Sequence, residues 1–177
     1  HVDDLSDIIK GVEHWLDDDG LFVMEVGYFV DVYQKVWFDT IYHEHYSYFS
    51  LHTLKRVLGD AGLQIVMLRE RNTHGGSLSL YVCHQKSSRY PVDGSVDACL
   101  LAEQSFGILD VANYGQLQIR AESSRADLLA FLVQARRDGK RVVGYGAPAK
   151  GNTLLNFCGV RRDLLPCTAD ISPHKQG

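Results

Sequence analysis

Val142-Val143-Gly144-Tyr145-Gly146-Ala147-Pro148-Ala149-Lys150-Gly151-Asn152-Thr153 reads as an apolar strand that enters a glycine-rich turn and then a helix. α/β proteins use that order to present backbone N–H groups and a helix N-terminus to a phosphate. Pro148 suits the first turn of the helix, where an N–H would go unpaired anyway, and Lys150 adds a cation beside it. Two known loops are only half matched. The dinucleotide fingerprint Gly-x-Gly-x-x-Gly has its third glycine late here, at Gly151. The spacing from Gly146 to Gly151 imitates a P-loop, but Asn152 stands where a lysine would grip the β- and γ-phosphates. A diphosphate is a reasonable ligand for the turn; a tight turn with no ligand is the alternative.

Working outward, Arg141 to Gly146 reads as a strand, Pro148 to Phe157 as a helix and Leu164 to Asp170 as a second, parallel strand. Upstream, Val96 to Phe106 and Val111 to Asp138 are long helical stretches, the second ended by Gly139. The polar, proline- and glycine-containing segment before them places a linker at 87–95, between one unit over 1–86 and another over 96–177. In the first unit, Val2, Leu5, Ile8, Ile9, Val12, Trp15 and Leu16 recur at helical steps. Leu21 to Val26 is a short, nearly continuous apolar run and reads as a buried strand. Tyr28 to Trp37 reads as helical. Ser50 is a fitting N-cap for a helix over Leu51 to Ala61, and Gly62 stands where a left-handed C-terminal cap falls. Leu63 to Arg71 and Leu78 to Gln85 are strand-like and joined by Asn72-Thr73-His74-Gly75-Gly76-Ser77, whose glycines permit a hairpin turn. The fold class is α/β, with a mostly parallel sheet that carries an antiparallel hairpin at its edge.

Composition narrows the function. A hydrophobic share of 45% and a charged share of 23% suit a soluble globular protein, and no run approaches the ~20 apolar residues of a membrane span. A formal charge of -4 with scattered lysines and arginines lacks the basic stripe that tracks nucleic acid. Cys83, Cys99, Cys158 and Cys167 never form Cys-x-x-Cys, so neither a disulfide framework nor a zinc ribbon is indicated, and a reduced cytoplasmic location fits. The chain starts at His1 within a helical pattern and stops after an apparent strand, so both ends are expected to cut through folded structure.

The chemistry is concentrated in Phe38-Asp39-Thr40-Ile41-Tyr42-His43-Glu44-His45-Tyr46-Ser47-Tyr48-Phe49-Ser50, which packs two imidazoles, a carboxylate and three phenols into one segment. These are side chains that move protons near neutral pH, and neighbouring rings strip water from them. Two imidazoles at i and i+2 could share a metal ion, but the pattern His-Glu-x-x-His is absent, since Ser47 occupies that place. A structural polar cluster is the other competitor. On an extended backbone Tyr42 and Glu44 face away from His43 and His45, so the loop must bend if Tyr42 and His45 are to reach one substrate. His52 and His84 read as packing or surface residues.

Phe38 to His45, then Thr73-His74-Gly75-Gly76-Ser77-Leu78, then Gly144 to Asn152, in this order and spacing, resemble the S-adenosylmethionine-dependent C-methyltransferases of nucleotide-linked keto-deoxysugars. The resemblance implies the later half of a Rossmann-like methyltransferase domain followed by the start of a second Rossmann-like, C-terminal domain. It implies His45 as general base, with Tyr42 and Glu44 as its close partners. It places His1, His43, His74, Gly75, Gly146, Ala149, Lys150 and Asn152 with the nucleotide-linked sugar, the last two near its diphosphate. S-adenosylmethionine would be the methyl source, its glycine-rich loop lying outside this chain, and zinc would belong only to a separate N-terminal module. Ser79 stands where that family is expected to carry arginine. A non-catalytic nucleotide-sugar binding module and a nicotinamide-dependent oxidoreductase are the competing classes.

Overall fold

A computed structural model describes residues 2–175, and these form two compact units: residues 2–35 with 44–113, and residues 36–43 with 114–175.

The first unit opens with α1 (Leu5–Trp15), whose N-terminus is capped by Asp4 accepting from the Asp7 amide at 3.0 Å. β1 (Phe22–Gly27), α2 (Phe29–Gln34) and α3 (Leu51–Asp60) follow. Ser50 Oγ caps α3 on the Thr53 amide at 3.2 Å, and Gly62 just beyond it takes the left-handed φ of +77° that the sequence pattern anticipates. β2 (Leu63–Arg71) and β3 (Ser77–His84) then form the expected antiparallel hairpin, and α4 (Gly94–Phe106) closes the unit.

The sheet order is β1-β3-β2, with β3 antiparallel to both neighbours, Val26 opposite Leu78 and Leu68 opposite Leu80. The reversed strand therefore lies between two parallel ones, and the outer member of the hairpin is β2. Burial accounts for this. Every residue of β3 except half-buried Tyr81 is buried, which only a strand with neighbours on both sides and cover on both faces achieves. β1 departs from expectation in another way: Phe22, Met24 and Val26 turn toward the core while Val23, Glu25 and Gly27 are exposed, so this apolar run is buried on one face only. Leu51, Leu54 and Leu58 of α3 pack with Leu63, Leu78, Leu80 and Val82, all essentially excluded from solvent. Each such side chain contributes roughly 1.5–3 kcal/mol by its burial.

The polar segment expected as a linker is stitched to β2. The Asp93 amide donates to Val66 O at 2.8 Å, and Ser95 Oγ accepts from the Leu68 amide at 3.0 Å. α4 then packs on β2 and α3 through a stripe of Val96, Cys99 and Glu103. The structural division thus falls after α4, between Asn113 and Tyr114.

The second unit contains α5 (Gly115–Arg137), β4 (Gly144–Tyr145), α6 (Ala149–Cys158) and β5 (Thr168–Ala169). β4 and β5 are parallel, with Gly144 opposite Thr168, as the strand, turn, helix, strand pattern requires. Both are shorter than the sequence reading. Residues 141–143 lie outside any strand, and at the other end Leu164 and Leu165 amides turn back onto Arg161 O while Pro166 has no N–H to offer. A 3-10 turn over Phe38–Thr40 packs on α6, with the Phe38 and Phe157 rings 4.7 Å apart. The architecture is mixed α/β. Among the described residues no helix is long and apolar enough to cross a membrane.

Candidate active site

Three segments meet at the carboxyl end of β1, where ligands of α/β sheets gather. The Tyr28 amide donates to Gly76 O at 3.1 Å, the Phe29 amide donates to Phe49 O at 2.9 Å, and Tyr28 and Phe49 form an isolated parallel bridge. Strand end, hairpin turn and the end of the His-Glu-His loop are thereby tied together. The side chains continue the connection: Tyr48 stands edge-on to Phe29 and to His45, both at 6.4 Å between ring centres. His45 is thus linked through Tyr48 to the residue that begins α2. Gly27 lies at the same strand end, and a Cβ there would meet nothing within 4 Å.

The hairpin turn is built for close approach. Gly76 has φ of +136°, and a Cβ on it would fall 2.0 Å from Asp31 Oδ2, so only glycine fits without displacement. Lys35, paired with Asp31 at 2.8 Å, donates to Gly75 O at 3.1 Å. His74 takes φ of +50° in this turn. His74 and Gly75 therefore share the β1 end with the His45 loop. Glu25 is a polar residue here that sequence reasoning passed over. It accepts from Ser77 Oγ at 2.6 Å and from Thr73 Oγ1, and the Ser77 bond first, then the Thr73 bond, holds its carboxyl below the usual range. The available signal was a glutamate interrupting the apolar run Leu21 to Val26. At the Ser79 position, Arg71 Nε donates to Ser79 Oγ at 3.2 Å, so a guanidinium does reach this strand, from β2.

The His-Glu-His stretch is divided. Tyr42 and His43 belong to the second unit, their rings 6.3 Å apart, whereas Glu44 and His45 belong to the first. Val36, which opens the 36–43 segment, has φ of +56°, a strained value for a β-branched residue of the kind that collects near functional sites.

In the second unit the glycine turn carries Gly146 at φ of +85°, with Ala149, Lys150 and Asn152 in the first turn of α6. Its donors are partly used within the chain. The Ala147 amide donates to Asp170 Oδ2 at 2.7 Å, the Ser172 amide to Asp170 Oδ1 at 2.8 Å, and Lys175 donates to Ala147 O at 2.9 Å. The Ser172 and then the Ala147 N–H hold the Asp170 carboxyl below its ordinary range. Sequence reasoning missed Asp170, although an acidic residue at the end of the second strand is where such folds carry one. A diphosphate at this turn would stand beside that carboxylate, which Lys175 Nζ approaches at 3.8 Å. His1 lies outside the described residues. Among the described residues no group of three or more His, Cys, Asp or Glu could hold a metal ion.

The loop that carries His45 and the glycine hairpin meet at one strand end, with a strand, turn, helix, strand unit downstream in the chain. Residues 72–177 match the family described as the C-methyltransferase C-terminal domain, and the chain belongs to that family. Among curated proteins it is similar to C-methyltransferase NovU of Streptomyces niveus, 36% identical over 177 residues. That alignment covers 100% of this chain and 42% of the relative, so the chain spans less than half the length of the relative it matches.

Proposed function

We propose that this chain forms part of an S-adenosylmethionine-dependent C-methyltransferase acting on a carbon next to the ketone of a nucleotide-linked keto-deoxysugar, with His45 as the general base. The observation that carries the reading is the convergence of the His45 loop and the His74-Gly75-Gly76 turn on the carboxyl end of β1. Open space at Gly27 leaves room there for a bound molecule, and S-adenosylmethionine would supply the methyl group as a sulfonium.

The chain's own residues supply proton chemistry. A C–H beside a ketone is acidic enough for an imidazole to remove when the resulting enolate oxygen is stabilised. His45 takes that proton, and Glu44 orients the ring. Tyr42 donates to the developing oxyanion. His43, His74 and Gly75 contact the sugar, and Gly146, Ala149, Lys150 and Asn152 hold the nucleotide diphosphate, Lys150 offsetting the phosphate charge.

In the protein that carries this chain, His45→Gln lowers methyl transfer by ~10²-fold or more, the scale of general base catalysis, with substrate binding retained. Turnover near that of the wild type removes His45 from the mechanism.

A further inference from the structure

Glu103 is fully buried on α4, yet it serves a helix 52 residues earlier in the chain. Its Oε1 accepts from the Leu51 amide at 2.5 Å, and its Oε2 accepts from the His52 amide at 3.0 Å and lies 2.6 Å from His52 Nδ1. With Ser50 Oγ on the Thr53 amide, the first three N–H groups of α3, which a helix leaves unpaired, are all met. A buried carboxylate is costly unless both oxygens are bonded and its charge is opposed; the two amides and the imidazole bond the oxygens, and the positive end of the α3 dipole opposes the charge. The same side of α4 holds Cys99, whose Sγ meets the Tyr28 hydroxyl at 3.6 Å. Burial, then the contact with Cys99 and the nearby Glu103 charge, push the Tyr28 hydroxyl up, so it stays protonated.

Leu51 and His52 directly follow the loop that ends at Phe49 and Ser50. We propose that Glu103 is a positioning residue for that loop: it pins the start of α3 so that Phe49 stays paired with Tyr28 and Phe29, and Tyr48 keeps His45 at the end of β1. The functional consequence rests on the reading of His45 as the base. The anchoring does not.

The test is amide hydrogen exchange together with the ring resonances of His45 and His52 in the protein carrying this chain, wild type against Glu103→Gln. The substitution keeps the volume and one acceptor but turns an NH₂ toward a donor. Exchange at Leu51, His52 and the 45–49 amides is expected to rise about tenfold or more, the loss of a charge-assisted hydrogen bond, and the His45 ring signal to shift or broaden. The Leu80 and Val82 amides should stay protected. Unchanged loop exchange and an unchanged His45 signal overturn the proposal, as does an equal rise at Leu80 and Val82, which marks a merely structural role. If Glu103→Gln fails to fold, Glu103→Asp gives the same comparison, and rapid exchange at Leu51 and His52 in the wild type overturns the proposal outright. If His45→Gln keeps its turnover while Glu103→Gln loosens the loop, the function reading fails and the anchor stands.

Discussion

The start of α3 and the glycine turn before α6 solve one problem in two ways. In each, a carboxylate from a later element satisfies backbone N–H groups beside a candidate ligand site. At α3 the carboxylate is Glu103, excluded from water and bonded to two amides and an imidazole. At the glycine turn it is Asp170, half-buried and bonded to the Ala147 and Ser172 amides, with Lys175 beside it. A fully buried anchor admits little adjustment, since water cannot replace a lost partner; a half-buried one gives way at lower cost. The first suits the loop proposed to carry the base, the second the turn proposed to receive a diphosphate.

Glu103→Ala breaks the comparison most severely if it holds. It should cost about 3–5 kcal/mol in denaturant unfolding of the first unit, the range for removing one partner from a buried charge-bonded cluster. Gly76→Ala comes next, at about 2 kcal/mol or more, because the new Cβ meets Asp31 and the φ of +136° is a glycine value. Asp170→Asn should lower the melting temperature of the second unit far less than either. Asp170 also sets a pH dependence. Its carboxyl is depressed in the folded chain, so its stabilisation is complete above the ordinary carboxylate range and is lost as pH falls through the lowered value; thermal melts in acid should show a slope that Asp170→Asn flattens. Least of all, breaking the exposed pair of Lys86 and Asp18, 3.0 Å apart, should leave the melting temperature unchanged.

Local signals were legible wherever the deciding group sits close in sequence. Ser50 as the α3 cap, Gly62 beyond its end and the Asn72 to Ser77 turn are all readable, because capping and positive φ depend on one or two residues. What sequence missed depends on partners far along the chain. Glu103 reads as an ordinary exposed helix residue until its place in the stripe Val96, Cys99, Glu103 is noticed. The exposed face of β1 and the insertion of β3 beside it follow from long-range pairing that apolar runs do not encode. The polar 87–95 segment reads as a boundary by composition, whereas its Asp93 amide and Ser95 hydroxyl bond β2 and its Ser87 and Tyr90 hydroxyls bond Asp19. For the site, His45 and the His74 turn share the end of β1, whereas Tyr42 and His43 fall in the other unit, a division the sequence does not mark; Glu25 and Asp170 were not anticipated.

The most direct test of proton abstraction by His45 is solvent deuterium exchange at the carbon beside the ketone of a nucleotide-linked keto-deoxysugar, followed by NMR without methyl transfer. The wild-type protein should wash deuterium into that carbon, and His45→Gln should slow the exchange by ~10²-fold. Exchange at the wild-type rate in the variant would contradict it.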